Sequence, residues 1–143
     1  MKISTKGRYA LRMMVDLAQH KENGFIPLKD ISERQDISKK YLEQIIFCFR
    51  NSDLLSAGRG FQGGYRLAKA PGEITVGEIL RFTEGSISPV ACLEQDPVGC
   101  DRREICPTLF VWRELDRRIA EYLDSVTLQD ILDRQTADFD YVI

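Results

Sequence analysis

Apolar residues recur along most of this chain at the three- and four-residue spacing of amphipathic helices. Ser4 or Thr5 can cap a first helix that ends near Glu22, in which the apolar residues form two neighbouring stripes. Because this apolar arc is wider than one helix face, the helix is expected either to pack on a second partner, such as another subunit, or to lie at the centre of the fold. Pro27 opens a second helix over 28–35, and Ser38 is a good N-cap for a third.

The third predicted helix has one apolar and one polar face, and the short turn at Asp36 and Ile37 gives it the spacing of a helix-turn-helix. The buried face is predicted to contain Leu42, Ile45, Ile46 and Phe49. The other face is predicted to contain Lys39, Lys40, Glu43, Gln44 and Arg50. In a helix-turn-helix, the second helix enters the major groove of DNA with a polar face of this kind.

A glycine-rich segment follows the third helix. The apolar pair at 54–55 and the residues 65–67 bracket the sequence Arg59-Gly60-Phe61-Gln62-Gly63-Gly64, which predicts two short strands joined as a hairpin. A helix-turn-helix followed by such a hairpin is typical of a winged helix, whose hairpin meets the neighbouring DNA backbone or minor groove. The sequence therefore favours DNA binding as the leading function.

The second half of the chain contains fewer but longer elements. Thr75 caps a fourth helix, with Glu78 at the capping-box position. A long helix over about 107–125 has one apolar stripe, whose length suits a contact between two subunits. Thr127 caps a short last helix around 128–132, and the acidic tail from Thr136 is expected to be disordered.

These elements predict a mainly α fold, a winged helix-turn-helix with a long C-terminal dimerisation helix. The predicted organisation is a DNA-binding domain over 1–84, a cysteine-bearing sensor loop over 85–106, and the dimerisation helix with the tail over 107–143.

Charge is divided unequally along the chain. Residues 1–70 contain 13 Lys and Arg against 7 Asp and Glu, whereas residues 71–143 contain 7 against 15. A basic first half supplies a surface for DNA phosphates, and those phosphates repel the acidic second half. No stretch approaches the roughly 20 apolar residues of a membrane span, and the N-terminus lacks the apolar core of a secretion signal, so a cytoplasmic protein with reduced cysteines is expected.

The predicted DNA contacts lie on the third helix, on the wing and at the start of the first helix. Gln44 can form a bidentate pair with adenine, Glu43 can accept from a cytosine amino group, and Arg59 suits a minor groove or its phosphates. The full set of expected contacts is Lys6, Arg8, Ser38, Lys39, Lys40, Tyr41, Glu43, Gln44, Arg50, Arg59, Gly60, Gln62 and Gly63.

Three of the four cysteines, Cys92, Cys100 and Cys106, lie within fifteen residues in a segment without helical periodicity. A disulfide is disfavoured by a reducing compartment, and the spacing lacks the paired clips of structural zinc sites. A thiol redox sensor remains open, and an iron-sulfur cluster is the preferred interpretation because soft thiolates on a loop can wrap one. Cys48 is interpreted as a small core residue.

An enzyme such as a small thiol oxidoreductase is disfavoured. The sequence has no C-x-x-C pair, no histidine near a cysteine and no nucleotide-binding glycine motif, so the chain is predicted not to be an enzyme.

Several of these motifs together resemble one known family. The opening residues 1–10, the sequence Tyr41-Leu42-Glu43-Gln44, the wing motif over 59–65 and the three cysteines before a Trp112-containing helix occur in the order found in the Rrf-two family of bacterial winged-helix regulators. The resemblance is strongest to its iron-sulfur cluster regulators. It implies a homodimeric transcription factor, usually a repressor, that binds a double-stranded operator and holds an iron-sulfur cluster on Cys92, Cys100 and Cys106.

The same resemblance favours a 2Fe-2S over a 4Fe-4S cluster, but the nuclearity stays open because the fourth ligand does not carry over. Where the iron-sulfur branch has a histidine this chain has Leu109, and where the nitric-oxide-sensing branch has an acidic residue it has Arg8. The first two cysteines are also separated by seven residues rather than five. The remaining candidates for the fourth ligand are Asp101, Glu104, Glu94, Asp96, His20, or an external thiol or water.

The implied targets are genes of iron-sulfur cluster assembly or cysteine metabolism. The alternative is a cluster-free regulator that responds to thiol redox state or to a protein partner.

Overall fold

The amphipathic segments form helices close to the positions that their periodicity predicts. A computed structural model describes residues 2–94 and 101–142, with side chains described up to residue 137. Within those residues there are six α-helices and one two-stranded antiparallel sheet. Their bounds are α1 Thr5–Gln19, α2 Leu28–Gln35, α3 Lys39–Cys48, β1 Leu55–Gly58, β2 Gly64–Leu67, α4 Val76–Glu84, α5 Leu109–Ser125 and α6 Leu128–Val142.

Helix α1 lies at the centre of the fold. Ala10, Met13, Met14 and Leu17 are at most 1% exposed, and the helix packs against α2, α3, α4, α6 and β2. Its wide apolar arc is therefore covered within this chain, which decides between the two explanations that the sequence left open. Of the two predicted caps, Ser4 rather than Thr5 caps the helix, because the Ser4 Oγ accepts a hydrogen bond from the Gly7 N–H at 3.0 Å.

Helices α2 and α3 form the predicted helix-turn-helix. Asp36 ends α2 in the left-handed conformation, with φ at 53°, and reverses the chain. Ser38 then caps α3, its Oγ accepting from the Tyr41 N–H at 3.1 Å. The core side of α3 contains Leu42, Ile45 and Phe49, as the spacing predicts, with Ile46 half-buried.

A buried carboxylate joins α1 to α2. Asp16 is fully buried on α1, and its two oxygens accept hydrogen bonds from the Arg34 guanidinium at 2.7 and 3.0 Å. Gln35 donates a third bond at 3.0 Å. Burial raises the pKa of Asp16, but these hydrogen bonds and the Arg34 charge outweigh burial and hold the pKa below its ordinary value. The pair fixes α2, and with it the turn into α3, against the central helix.

The wing is a two-stranded hairpin that is anchored to the chain before α2. In the sheet, Leu55 pairs with Leu67 and Gly58 pairs with Gly64. The main chain of β2 also exchanges two hydrogen bonds with Ile26, at 2.8 and 2.9 Å. Gly64 has a φ of +152°, and a Cβ there would collide with the Ile26 carbonyl, so this close approach requires glycine.

The C-terminal helices pack back onto the winged helix. Thr75 caps α4 by accepting from the Glu78 N–H at 3.1 Å, as predicted. Helix α5 packs on α4, where Arg81 holds Asp124 with two hydrogen bonds at 2.6 and 2.9 Å. Among the described residues, no helix is both long and apolar enough to cross a membrane.

The last helix is longer than predicted. Thr127 caps it, as expected, through a reciprocal pair of hydrogen bonds with Asp130, but α6 continues to Val142 instead of ending near residue 132. The expectation of a disordered tail from Thr136 is therefore wrong. The reason is tertiary, since α6 packs on α1 and Gln135 bonds to Gln19 at 2.8 Å.

Candidate nucleic-acid interface and cysteine loop

One face of α3 is exposed and polar. Lys39, Lys40, Glu43 and Gln44 are all exposed, while the apolar side of the helix is in the core. The N-terminal end of α3, where the macrodipole favours anions, lies beside the two lysines. This arrangement suits phosphate contacts at the start of the helix and base contacts one turn later.

Two residues predicted on this face have structural roles as well. The Ser38 oxygen serves as the N-cap, although the exposed hydroxyl retains its proton for donation. Tyr41 is half-buried and packs edge-on against the Tyr9 ring, with centroids 5.6 Å apart. Its ring therefore belongs to the packing between α1 and α3.

The predicted contacts from α1 separate into two locations. Lys6 borders a shallow concave surface together with Lys40, Gln44 and other residues of α3. Arg8 instead lines a groove between α1 and α6, and its guanidinium donates to the Thr5 hydroxyl at 3.0 Å. The structure thus brings Lys6, but not Arg8, beside the exposed face of α3.

Arg50 lies just after α3 and is paired with an aromatic neighbour. Its guanidinium carbon is 3.9 Å from the centroid of the Phe47 ring, and its Nη1 donates to the Phe47 carbonyl at 3.0 Å. Phe47 is 62% exposed. Sequence analysis did not single out this phenylalanine, although its position four residues after Glu43 places it on the same exposed stripe.

The wing presents its tip to solvent. Arg59, Gly60, Phe61 and Gln62 are exposed, and Gly63 is half-buried. Gly60 has a φ of +85°, which glycine adopts without strain. The tip is therefore a tight turn that holds one cation and one amide outward.

Two of the three clustered cysteines are described. Cys92 lies in a short 3₁₀ turn over 91–93, Cys106 lies just before α5, and both thiols are free and half-buried. A hydrogen bond with the Thr108 hydroxyl, 3.4 Å from the sulfur, holds the pKa of the Cys106 thiol below its usual value. This favours the thiolate, which is the form that binds metals. Cys100 lies outside the described residues.

The described part of the chain shows no group of three or more His, Cys, Asp or Glu side chains that could hold a metal ion. The donor chemistry of Cys92 and Cys106 fits an iron-sulfur cluster, since both are thiols and one has a lowered pKa.

The candidates for a fourth ligand have different surroundings. Leu109, which is not among them, is 6% exposed and packs as a core residue. His20 is held at the end of α1, where its Nδ1 lies 2.8 Å from the Asp16 carbonyl oxygen. Glu94, Asp101 and Glu104 are exposed, and Asp96 lies outside the described residues.

Cys48 lies at the edge of the core rather than within it. It is half-buried on α3, its sulfur lies 3.6 Å from the Gln44 carbonyl oxygen, and it packs against core residues. The interpretation as a small packing residue therefore holds in part, with the difference that one side of the thiol reaches the surface.

Helix α5 carries an exposed apolar stripe. Val111, Leu115 and Tyr122 are 42%, 41% and 66% exposed, and Phe110 and Trp112 widen the stripe. Leu109 alone is fully buried on this helix. The helix thus covers α4 with one edge and leaves a large apolar face uncovered within this chain.

Residues 3–134 match the family Rrf2, described as iron-dependent transcriptional regulator, which is the Rrf-two family that the motifs resemble. A curated relative, the HTH-type transcriptional regulator IscR of Pectobacterium carotovorum, is 40% identical and covers 96% of this chain and 88% of its own length.

Two solved structures of this family resemble the fold closely. T. potens IscR is 41% identical with a TM-score of 0.74, and it covers 94% of this chain and 88% of its own. CymR, the global cysteine regulator of B. subtilis, is 39% identical with a TM-score of 0.76, covering 94% of this chain and 98% of its own.

Proposed function

Because this chain belongs to the Rrf2 family and is a DNA-binding transcriptional regulator, we propose that it binds a double-stranded operator as a homodimer through α3 and the wing. The observation that carries this proposal is the exposed polar face of α3, beside a wing whose tip holds Arg59 outward. We further propose that an iron-sulfur cluster on Cys92, Cys100 and Cys106 sets the affinity for DNA.

The proposed division of labour on α3 follows from side-chain chemistry and position. Lys39, Lys40 and the Ser38 hydroxyl bind phosphates at the start of the helix, where its dipole also favours negative charge. Glu43 and Gln44 lie one turn farther and reach base edges. Glu43 accepts from a cytosine amino group and Gln44 forms a bidentate pair with adenine.

The wing makes the second contact of the proposed complex. Arg59, Gly60, Gln62 and Gly63 belong to a turn whose glycines let the backbone approach the duplex closely, with the exposed Phe61 ring at the same tip. A narrow minor groove attracts an arginine in such a position. Lys6 and Arg50 add phosphate contacts at the two edges of α3, and Arg8 adds one only if the duplex extends toward the groove between α1 and α6.

The proposed dimer contact is the apolar stripe of α5. Val111, Leu115 and Tyr122 recur at helical spacing and are exposed in one chain. A twofold axis across α5 would relate the two subunits. Each subunit would then place its own α3 in one of two successive major grooves, about 34 Å apart.

The proposed cofactor site uses the two ends of the cysteine loop. Cys92 and Cys106 supply thiolates from either side of residues 93–105, with Cys100 as the third donor. A bound cluster would supply sensitivity to iron and oxidants and would tie both ends of the loop together. Because Cys106 lies just before α5, a cluster bound to it would bias the arrangement of the dimer and hence of the two recognition helices.

The proposed targets are genes of iron-sulfur cluster assembly or cysteine metabolism, with repression as the direction of control. The curated relative is named IscR and one structural relative is named a global cysteine regulator, which supports both target classes.

The DNA-binding proposal is tested with an operator selected by the purified protein from random-sequence duplexes. Arg59→Ala should weaken binding to that operator about tenfold or more, since it removes a charge-assisted contact. Arg134→Ala, an exposed arginine of α6 outside the candidate surface, is the matched control and should leave the affinity unchanged. Equal affinities of the Arg59 variant and the wild type would contradict the proposal.

The cofactor proposal is tested on protein prepared without oxygen. The wild type should be coloured and contain iron and sulfide, and Cys92→Ala should lose both. Cys48→Ala is the control, because Cys48 lies on α3 and should leave the colour intact. Mössbauer spectroscopy on iron-labelled protein then distinguishes 2Fe-2S from 4Fe-4S. A colourless, iron-free wild type would instead support a cluster-free regulator that responds to thiol oxidation or a protein partner.

A further inference from the structure

Phe47 is an apolar side chain in the middle of the candidate DNA surface. It follows Lys40 by seven residues, Glu43 by four and Gln44 by three, so all four lie on one stripe of α3. The ring is 62% exposed although the residue is large and apolar. The helix rise places it about 10 Å along the axis from Lys40, which corresponds to about three base pairs.

The orientation of the ring is fixed by Arg50. The guanidinium stacks on one face of the ring at 3.9 Å and is tied to the Phe47 carbonyl by a hydrogen bond at 3.0 Å. The ring also borders two shallow concave surfaces, one with Lys6 and Lys40 and the other with Arg50, and Glu43 lines both. The side chain is therefore held outward and is available on the side that Arg50 does not cover.

The charges around this ring indicate what it contacts. Lys6, Lys40 and Arg50 flank it against the single carboxylate of Glu43, so a polyanion is favoured over an apolar protein surface. An aromatic ring forms apolar contacts, and the apolar group that base edges present in the major groove is the 5-methyl group of thymine.

We propose that Phe47 is a specificity-determining residue that contacts a thymine methyl group, next to the base pairs reached by Glu43 and Gln44. This inference rests on the proposed function, in which α3 lies in the major groove. Arg50 has two roles in it, since it positions the ring and carries positive charge toward the adjacent phosphate.

The test uses the operator selected by the wild-type protein. Each thymine is replaced singly by deoxyuridine, which removes only the methyl group. For the wild type, one replacement in a half-site should weaken binding about fourfold, the value expected for one buried carbon. For Phe47→Ala, the thymine and deoxyuridine duplexes should bind equally at that position.

Phe61→Ala is the matched control, because Phe61 is also an exposed phenylalanine but lies at the wing tip rather than on α3. This variant should keep the wild-type discrimination between thymine and deoxyuridine. Phe47→Leu should keep part of it, since leucine also offers an apolar surface. Circular dichroism should show that the Phe47 variants are folded, as expected for a side chain outside the core.

Two results would overturn the inference, namely a wild type indifferent to every deoxyuridine replacement, or a Phe47→Ala protein that still discriminates as the wild type does. If Glu43→Ala and Arg59→Ala weaken binding in the same experiment, the proposed function stands and only the role of Phe47 fails. If those two variants also bind like the wild type, α3 and the wing do not read DNA, and both proposals fail.

Discussion

At the scale of single residues, Asp16 shows how a buried charge can orient a recognition element. The carboxylate is out of contact with solvent and depends on Arg34 and Gln35 of α2 for its hydrogen bonds. Removing the Arg34 cation would leave the buried Asp16 carboxylate without its ionic partner. This destabilises the fold more than replacing both residues by apolar ones. Sequence analysis did not identify this pair, because neither residue stands out within its own helix.

Arg34→Met should lower the free energy of unfolding at pH 7 by about 2 kcal/mol, a moderate value because Arg34 is partly solvated. The lowered pKa of Asp16 means that the wild-type pair stabilises the fold above about pH 4 and loses that contribution as pH falls through the lowered pKa. In the Arg34→Met variant the Asp16 carboxyl stays buried without the cation, and burial raises its pKa. Protonation of Asp16 at low pH then removes the cost of burying its charge.

The difference in stability between wild type and Arg34→Met should therefore be smaller at pH 4 than at pH 7 in urea unfolding. Arg134→Met, which changes an exposed arginine of α6, serves as the control and should have little effect at either pH. An equal difference at both pH values would show that the Asp16 charge is not responsible.

Glu43 gives a second prediction at this scale. Glu43→Ala should relax the preference for one base pair of the operator, because a carboxylate selects a cytosine amino group and disfavours bases that offer no donor. The measurement is the spread of binding free energies among duplexes with each of the four base pairs at that position. In the variant this spread should be about 1–3 kcal/mol smaller than in the wild type.

Lys39→Ala is the comparison for that experiment. It should weaken binding to all of these duplexes by a similar factor, as expected when a phosphate-binding cation is removed. A uniform decrease from Glu43→Ala as well would argue against direct base recognition by this residue.

At the scale of elements, local signals were sufficient for most of the fold. The caps at Ser4, Ser38 and Thr75 and the bounds of α2 follow directly from the sequence, because capping and turn chemistry act within a few residues. The length of α6 and the central position of α1 depend on contacts between distant segments. The periodicity of a single sequence does not show which distant segments pack against each other.

The wing yields a prediction about backbone geometry. Gly64→Ala should destabilise the protein by about 1–3 kcal/mol, because a Cβ would meet the Ile26 carbonyl at a φ that disfavours other residues. It should also weaken DNA binding, since the hairpin that carries Arg59 would separate from Ile26. Thermal unfolding and operator affinity are the measurements.

Gly72→Ala is the matched control for this variant. The nearest atom to a Cβ at Gly72 would be the Gln129 Cβ at 3.9 Å, an ordinary van der Waals distance. This variant should unfold and bind DNA like the wild type. Equal behaviour of the two glycine variants would show that the bridge to Ile26 does not position the wing.

At the scale of the whole molecule, the uncovered stripe of α5 predicts how the chain assembles. Leu115→Glu should shift a dimer toward monomers and weaken operator binding, because it places a charge in the middle of an apolar contact. Sedimentation velocity gives the masses. Arg113→Glu changes charge on the opposite side of α5 and should leave the dimer intact, whereas a wild-type monomer would contradict the proposed assembly.

The separation of charge predicts how binding responds to salt. Operator affinity should fall steeply as salt increases, since each phosphate contact releases counterions. Arg59→Ala should reduce the slope of log affinity against log salt by about 0.9 for each phosphate that Arg59 neutralises. A slope identical to that of the wild type would mean that Arg59 does not contact a phosphate.

The chain connections around α4 and α5 have a mechanical consequence. At one end the pair is closed by main-chain hydrogen bonds, from Val76 to the Val126 carbonyl at 2.9 Å and from Leu128 to the Ile74 carbonyl at 3.0 Å. At the other end, Cys92 lies in the 3₁₀ turn that contacts α5, and Cys106 lies three residues before the helix begins. In the proposed function, a change at the two sulfur atoms would therefore act on the N-terminal end of α5, whereas the hydrogen bonds at Val76 and Leu128 hold its C-terminal end in place.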